Sequence, residues 1–342
     1  MNKINERQHY VSKVLLKRFR RPGDSLHCFQ VSTGKWEPRS VDKACSAPGY
    51  NQIMISGKMN NVLENSFSQI ETHLPKTFRA LETAAKGLSN TFPKVLYENL
   101  CGYCTFLLGS SLFAKPIAVV TFLEQINFEL EKGESLLLKE LRTPDDMIAR
   151  FRNGFLQGGR VIMVSENVLQ TVFRLQFERS IKRRYSDFLR CKWNIYNSPI
   201  DLPMSDIGLI EIRLDDVRFK MYLLPISPTH VLEGVFHMDH AKIDYELIVK
   251  GADLEVHQAE YVLDCICASA VIEVVCSQRN IDVLASRERA KNKKIRFNTI
   301  VDPQHVISAG LQNASEAYTL QMVSIDDYAK FIRRFIAPPL LE

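Results

Sequence analysis

The chain has 342 residues, 46% hydrophobic and 24% charged, with a net charge of +5. That length can build one large domain or two modest ones around a substantial core, and the balance excludes a disordered or fibrous chain. No apolar run reaches the roughly 18–20 uncharged residues of a membrane helix, and the start is charged from Lys3 with no apolar leader. Eight cysteines, mostly in apolar stretches, read as reduced core thiols of a cytoplasmic protein that does not enter a membrane.

In chain order, His9 to Phe19 (HYVSKVLLKRF) places Tyr10, Val11, Val14, Leu15 and Phe19 on one helical face, and Arg21-Pro-Gly-Asp stops it. SLHCFQVSTGKWEPRSV reads as a β-hairpin around Ser-Thr-Gly-Lys. From Asn60, Leu63, Phe67, Ile70, Leu74, Phe78 and Leu81 recur at helical intervals. Pro93 and Pro116 suit first turns, Thr143-Pro-Asp-Asp is a helix start, and Ser165-Glu166 opens a long helix to about Leu189. From Trp193 the period is two: KWNIYNSPIDLP, GLIEIRL, VRFKMYLLPISP and THVLEGVF read as strands. Helices resume near Ala252, and VLDCICASAVIEVV (Val262–Val275) reads as a buried helix, with later starts at Pro303 and Ser324. The expectation is a single α+β domain over 1–342: a basic N-terminal helix and hairpin in 1–58, a helical bundle in 59–190, a mostly antiparallel sheet in 191–251, and C-terminal helices in 252–342.

The charge is uneven. Residues 1–50 hold ten Lys or Arg against four acids, Arg174–Lys192 seven against two, and Ser286–Arg296 six against one. Three basic islands on one face would suit an anionic partner, while each alone reads equally well as a solvated helix face.

His9-Tyr10-Val11-Ser12-Lys13, followed by Leu16 and Phe19, resembles the N-terminal His-Tyr-Val-Pro-Lys signature of the bacterial domain-of-unknown-function family 4238, with Ser12 in place of the proline. Met204-Ser205-Asp206 and Pro225-Ile226-Ser227-Pro228 resemble two later motifs of that family. The resemblance implies a bacterial intracellular protein with no settled reaction, some relatives lying among antiphage defence genes.

With that resemblance, His9 is the candidate acid or base, since an imidazole titrates near neutral pH. Lys13 would stabilise developing negative charge, and Asp206 would orient the ring if the sheet brings it near. Lys17, Arg18, Arg20, Arg183 and Arg184 are candidate phosphate contacts. Ser227 lacks a nucleophile elbow. Cys101-Gly-Tyr-Cys104 is half a zinc pattern without its second half, and His230, His237, Asp239 and His240 read as a surface loop, so no metal and no cofactor are expected. The expected function is an antiphage effector acting on nucleic acid, RNA before DNA, as a metal-independent nuclease. The alternative is a non-enzymatic module that recognises a phage or host protein, and a phage protein is a candidate trigger. Oligomeric state is left open.

Overall fold

A computed structural model describes residues 7–21, 23–48, 53–55, 58–60, 62–87, 92–109, 114–140, 143–163, 184–213, 219–237, 249–279, 281–295 and 320–327. The protein combines helices with mostly antiparallel sheets, an α+β architecture. No helix among the described residues is long and apolar enough to cross a membrane.

The N-terminal segment departs from a single helix. Arg7–His9 is a strand (β1) paired antiparallel with Ser46–Pro48 (β4), His9 opposite Ser46. Only Lys13–Leu16 is α-helical (α1), and Lys17–Phe19 tightens into a 3-10 turn. Ser12 sets this boundary. Its backbone is extended and its Oγ accepts the Val14 N–H at 3.1 Å, an N-cap that excludes the preceding residues from the helix. Leu15, Leu16 and Phe19 are fully buried.

The expected hairpin forms from Leu26–Gln30 (β2) and Lys35–Arg39 (β3). It also extends across the chain. Glu273–Cys276 (β14) pairs with β2, and Met204–Ser205 (β9) pairs with β14, giving the order β3-β2-β14-β9. The run Val262–Val275 is therefore not one helix. Val256–Ser269 (α9) ends at an extended Ala270, and the β-branched run beyond it enters the sheet. Ile53–Ile55 (β5) and Lys58–Asn60 (β6) form a separate antiparallel pair.

Helices then follow: Val62–Glu71 (α2), Leu74–Ala85 (α3), Lys94–Gly109 (α4), Ala114–Glu131 (α5), Leu136–Glu140 (α6), Asp145–Leu156 (α7) and residues 184–189 (α8). This region is not purely helical, because Arg160–Met163 (β7) pairs with Leu320–Val323 (β15). The rest of the long helix expected from Ser165, and the start at Pro303, lie outside the described residues.

The strands expected after Trp193 are all present: Lys192–Asn197 (β8), Ile210–Arg213 (β10), Phe219–Ser227 (β11) and His230–His237 (β12). With Val249–Asp253 (β13), where a helix was expected near Ala252, they run β10-β11-β12-β8-β13, antiparallel except for β13 beside β8. The period of two sends alternate residues to opposite faces. Trp193, Ile195, Tyr222, Leu224, Ile226 and Leu232 join the main core with α3 and α4. Ile210, Ile212, Leu223 and Val231 pack instead with Val262, Cys265 and Ile266 of α9. Gly234 makes the helical face possible, since a Cβ there would lie 2.6 Å from the Trp193 ring. The helix Val283–Asn292 (α10) packs on α9, its N-cap Asp282 accepting the Ala285 N–H at 2.9 Å.

Candidate functional site

The N-terminal segment sits at a seam where the sheets and the helices meet. Its residues are used inward. His9 is 5% exposed, and its Nε2 lies 3.0 Å from the Val41 carbonyl, which only an N–H can satisfy. Burial, the largest cause, holds the imidazole below its ordinary pKa of 6.5, so it is neutral at pH 7. Lys13 lies beyond the strand on a different element, with its Nζ 2.7 Å from Asp42, whose pKa that ammonium lowers.

Asp206 does not reach His9. It is 1% exposed, and its oxygens accept the backbone N–H groups of Val271, Ile272 and Glu273 at 3.0, 2.5 and 3.0 Å. Burial pushes its pKa up to about 6 although those three donors pull it down. Glu273, also 1% exposed, accepts the Cys45 N–H at 2.6 Å and the Gln30 amide at 3.1 Å, with Arg39 3.2 Å away. The Tyr10 N–H donates to the Cys45 carbonyl at 3.1 Å. His9-Tyr10 and Ser205-Asp206 therefore belong to one polar seam, yet the carboxylate expected to orient the imidazole closes a backbone turn instead.

The cations are similarly occupied. Arg18 donates from Nε to the Ile226 carbonyl at 2.6 Å, pairs with Glu82, and lies 5.1 Å over the Phe78 ring. In the third island, Arg287 donates to the carbonyls of Cys267 and Ala270, while Arg289 and Lys293 both bind the fully buried Asp264. Lys17 and Arg20 are exposed; Arg184 is half-buried in α8; Arg183 lies outside the described residues. Cys101 and Cys104 are buried in α4, with thiol pKa values raised by burial. His240 and Asp239 also fall outside the described residues.

The Arg18 contact leads to a second histidine. Pro225–Ser227 carries a register shift against β12, and a turn through Pro228-Thr229 brings His230 back. Ser227 Oγ and Thr229 Oγ1 each lie 2.9 Å from His230 Nδ1. His230 is half-buried, and burial lowers its pKa from 6.5, with Glu82 opposing and Arg18 and Lys86 assisting. Its Nε2 makes no hydrogen bond among the described residues. A hydroxyl, a neutral imidazole and a guanidinium thus share one junction, where two of the quoted motifs, His9–Phe19 and Pro225–Pro228, meet. Sequence reading placed His230 in a surface loop; its signal was the polar Ser-Pro-Thr-His turn between two apolar strands.

Residues 7–99 match the model of a family described as a protein of unknown function (DUF4238). The Ser205-Asp206 and Pro225–Pro228 segments lie beyond the matched residues. No curated protein and no solved structure matches the chain.

Proposed function

We propose that this protein cleaves phosphodiesters in nucleic acid without a metal, and that its acid–base group is His230 rather than His9. The observation that carries this reading is the pair of 2.9 Å contacts fixing His230 Nδ1 beside the Arg18-bound Ile226 carbonyl. With Nδ1–H given to the hydroxyls, Nε2 keeps a lone pair. That nitrogen takes the proton of a ribose 2′-hydroxyl, whose oxygen bonds phosphorus as the bond to the 5′-oxygen breaks and water protonates the leaving oxygen. The exposed Lys17 and Arg20 hold the phosphate, while Arg18 anchors the turn through the Ile226 carbonyl. RNA is the favoured substrate because the step needs a 2′-hydroxyl. A role in bacterial antiphage defence draws its support from the family resemblance alone.

The test incubates purified protein with RNA and DNA in chelator. RNA is cut, and His230→Ala slows cutting by about 10²–10⁴-fold with the melting temperature kept, whereas His9→Gln still cuts. Intact RNA under all conditions, or full activity in His230→Ala, sinks the reading.

A second reading, a non-enzymatic module that binds a protein, draws support from the pairing of Lys13, Arg18, Arg39, Arg289 and Lys293 with the chain's own acids. Salt separates the two: phosphate contacts weaken steeply as ionic strength rises, and a protein interface lacking them does not.

A further inference from the structure

The other face of the five-stranded sheet carries a cavity of about 510 Å³ under α9, within the ~300–1,000 Å³ range of small-ligand sites. Its floor is apolar, with Leu223, Val231 and Val262, and Tyr196 and Tyr261 supply aromatic wall. Burial, first, pushes both phenols up to about 12, so they are neutral donors.

Two carboxylates, Glu233 and Glu260, line this cavity, and Glu233 is the one that hydrogen bonds hold in place. Glu233 Oε2 accepts the Tyr196 hydroxyl at 2.9 Å and the Asn194 amide at 3.0 Å. Those two bonds saturate Oε2 and fix the group, while Oε1 accepts nothing among the described residues and keeps two lone pairs. A lined, half-buried acceptor with unused capacity calls for a ligand with adjacent N–H donors. At the rim, Lys293 lies 5.8 Å over the Tyr261 ring and 2.9 Å from Asp264. Arg289 also binds Asp264 and lies close enough to Glu260 for that carboxylate to help raise its pKa. Lys291 and Lys294 beside it are exposed.

We propose that this cavity binds a guanine nucleotide, with the base between the tyrosines and the phosphate at Lys293. Guanine presents N1–H and the 2-amino group side by side, and both converge on Glu233 Oε1. Adenine and cytosine set a ring-nitrogen lone pair next to their amino donor, and uracil flanks its one N–H with two carbonyls; each turns a repulsive acceptor toward the carboxylate. The site rests on a different observation from the His230 junction and stands on the opposite side of the sheet, since Val231 and Glu233 alternate with His230 and Leu232 along β12.

Titration calorimetry of the full chain with GMP, AMP, UMP and guanosine tests it. GMP binds at least tenfold tighter than AMP and UMP, and guanosine binds more weakly than GMP. Glu233→Gln loses at least tenfold for GMP, Lys293→Ala brings GMP down to guanosine, and Leu254→Trp, which fills the cavity from a residue that lines it, abolishes binding with the circular dichroism spectrum kept. His230→Ala leaves GMP affinity unchanged. Equal affinity for the three nucleotides, no heat with GMP at millimolar concentration in folded protein, or undiminished binding by Leu254→Trp overturns the proposal.

Discussion

The N-terminal seam and the α9 face of the five-stranded sheet both hold carboxylates near apolar side chains, but they spend them differently. In the seam, Asp206 and Glu273 are about 1% exposed and their oxygens meet backbone N–H groups, an amide and a guanidinium. On the α9 face, Glu233 is held by two donors on one oxygen while the other accepts nothing among the described residues. A buried polar group with every valence met fixes a fold. One fixed in place with spare valence is poised for something that is not yet there. Residue type alone does not distinguish them; the count of satisfied partners does.

That contrast can be broken most severely at Asp206. Asp206→Ala strands three inward N–H groups, each costing about 1–3 kcal/mol when unmet, and urea unfolding should show a loss of several kcal/mol. A Gly234→Ala change acts on the sealed side of the five-stranded sheet. Its Cβ would press 2.6 Å from the Trp193 ring, an overpacking worth about 1–3 kcal/mol, read as a lower urea midpoint at constant slope. Near-wild-type stability in both variants would dissolve the distinction.

Solution pH sharpens it, because Asp206 and His9, two of the seam's buried groups, pull in opposite directions. Asp206 sits above the ordinary 3.8, at about 6, so its stabilising contribution is full below 3.8 and is lost as pH rises through about 6. His9 sits below 6.5, so its contribution is full above 6.5 and is lost as pH falls through the folded value. His9→Gln keeps a donor for the Val41 carbonyl and removes the titration. Stability curves from pH 4 to 8 should then lack the acid-side fall that His9 contributes, and an unchanged curve would mean that the ring titrates freely. Smallest of all is Lys13→Ala. Lys13 and Asp42 are 45% and 76% exposed, so the pair is solvent-screened, and the melting temperature should not move measurably.

Much of this architecture was readable beforehand. Alternation from Trp193 to Phe236 marked the strands of the main sheet, and the spacing from Leu63 to Leu81 marked α2 and α3. Three things were hidden for physical reasons. An apolar run such as Val262–Val275 fits a helix or a buried strand equally well, and only its pairing with β2 decides. The short strand at His9 depends on Ser46, 37 positions away. The basic islands looked available because their acids are remote, Glu82 for Arg18 and Glu273 for Arg39. Of the expected site, the meeting of the opening motif with the Ser-Asp segment is real, but through Cys45 and Glu273 rather than through His9 and Asp206. Glu233 lies opposite Asn194 and diagonal to Tyr196 on the neighbouring strand, and nothing in their local sequence announces the bonds it makes to both.

All eight cysteines are unpaired and buried, and desolvation keeps their thiols protonated. An alkylating reagent can reach each sulfur only when its surroundings come apart. Cys101, Cys104 and Cys191 lie in the core against the helices, Cys265 beneath α9, and Cys267 and Cys276 in a third cluster with β2's Phe29. The chain thus carries its own reporters of local opening, and the order in which they become alkylated would rank its parts by how often they come undone.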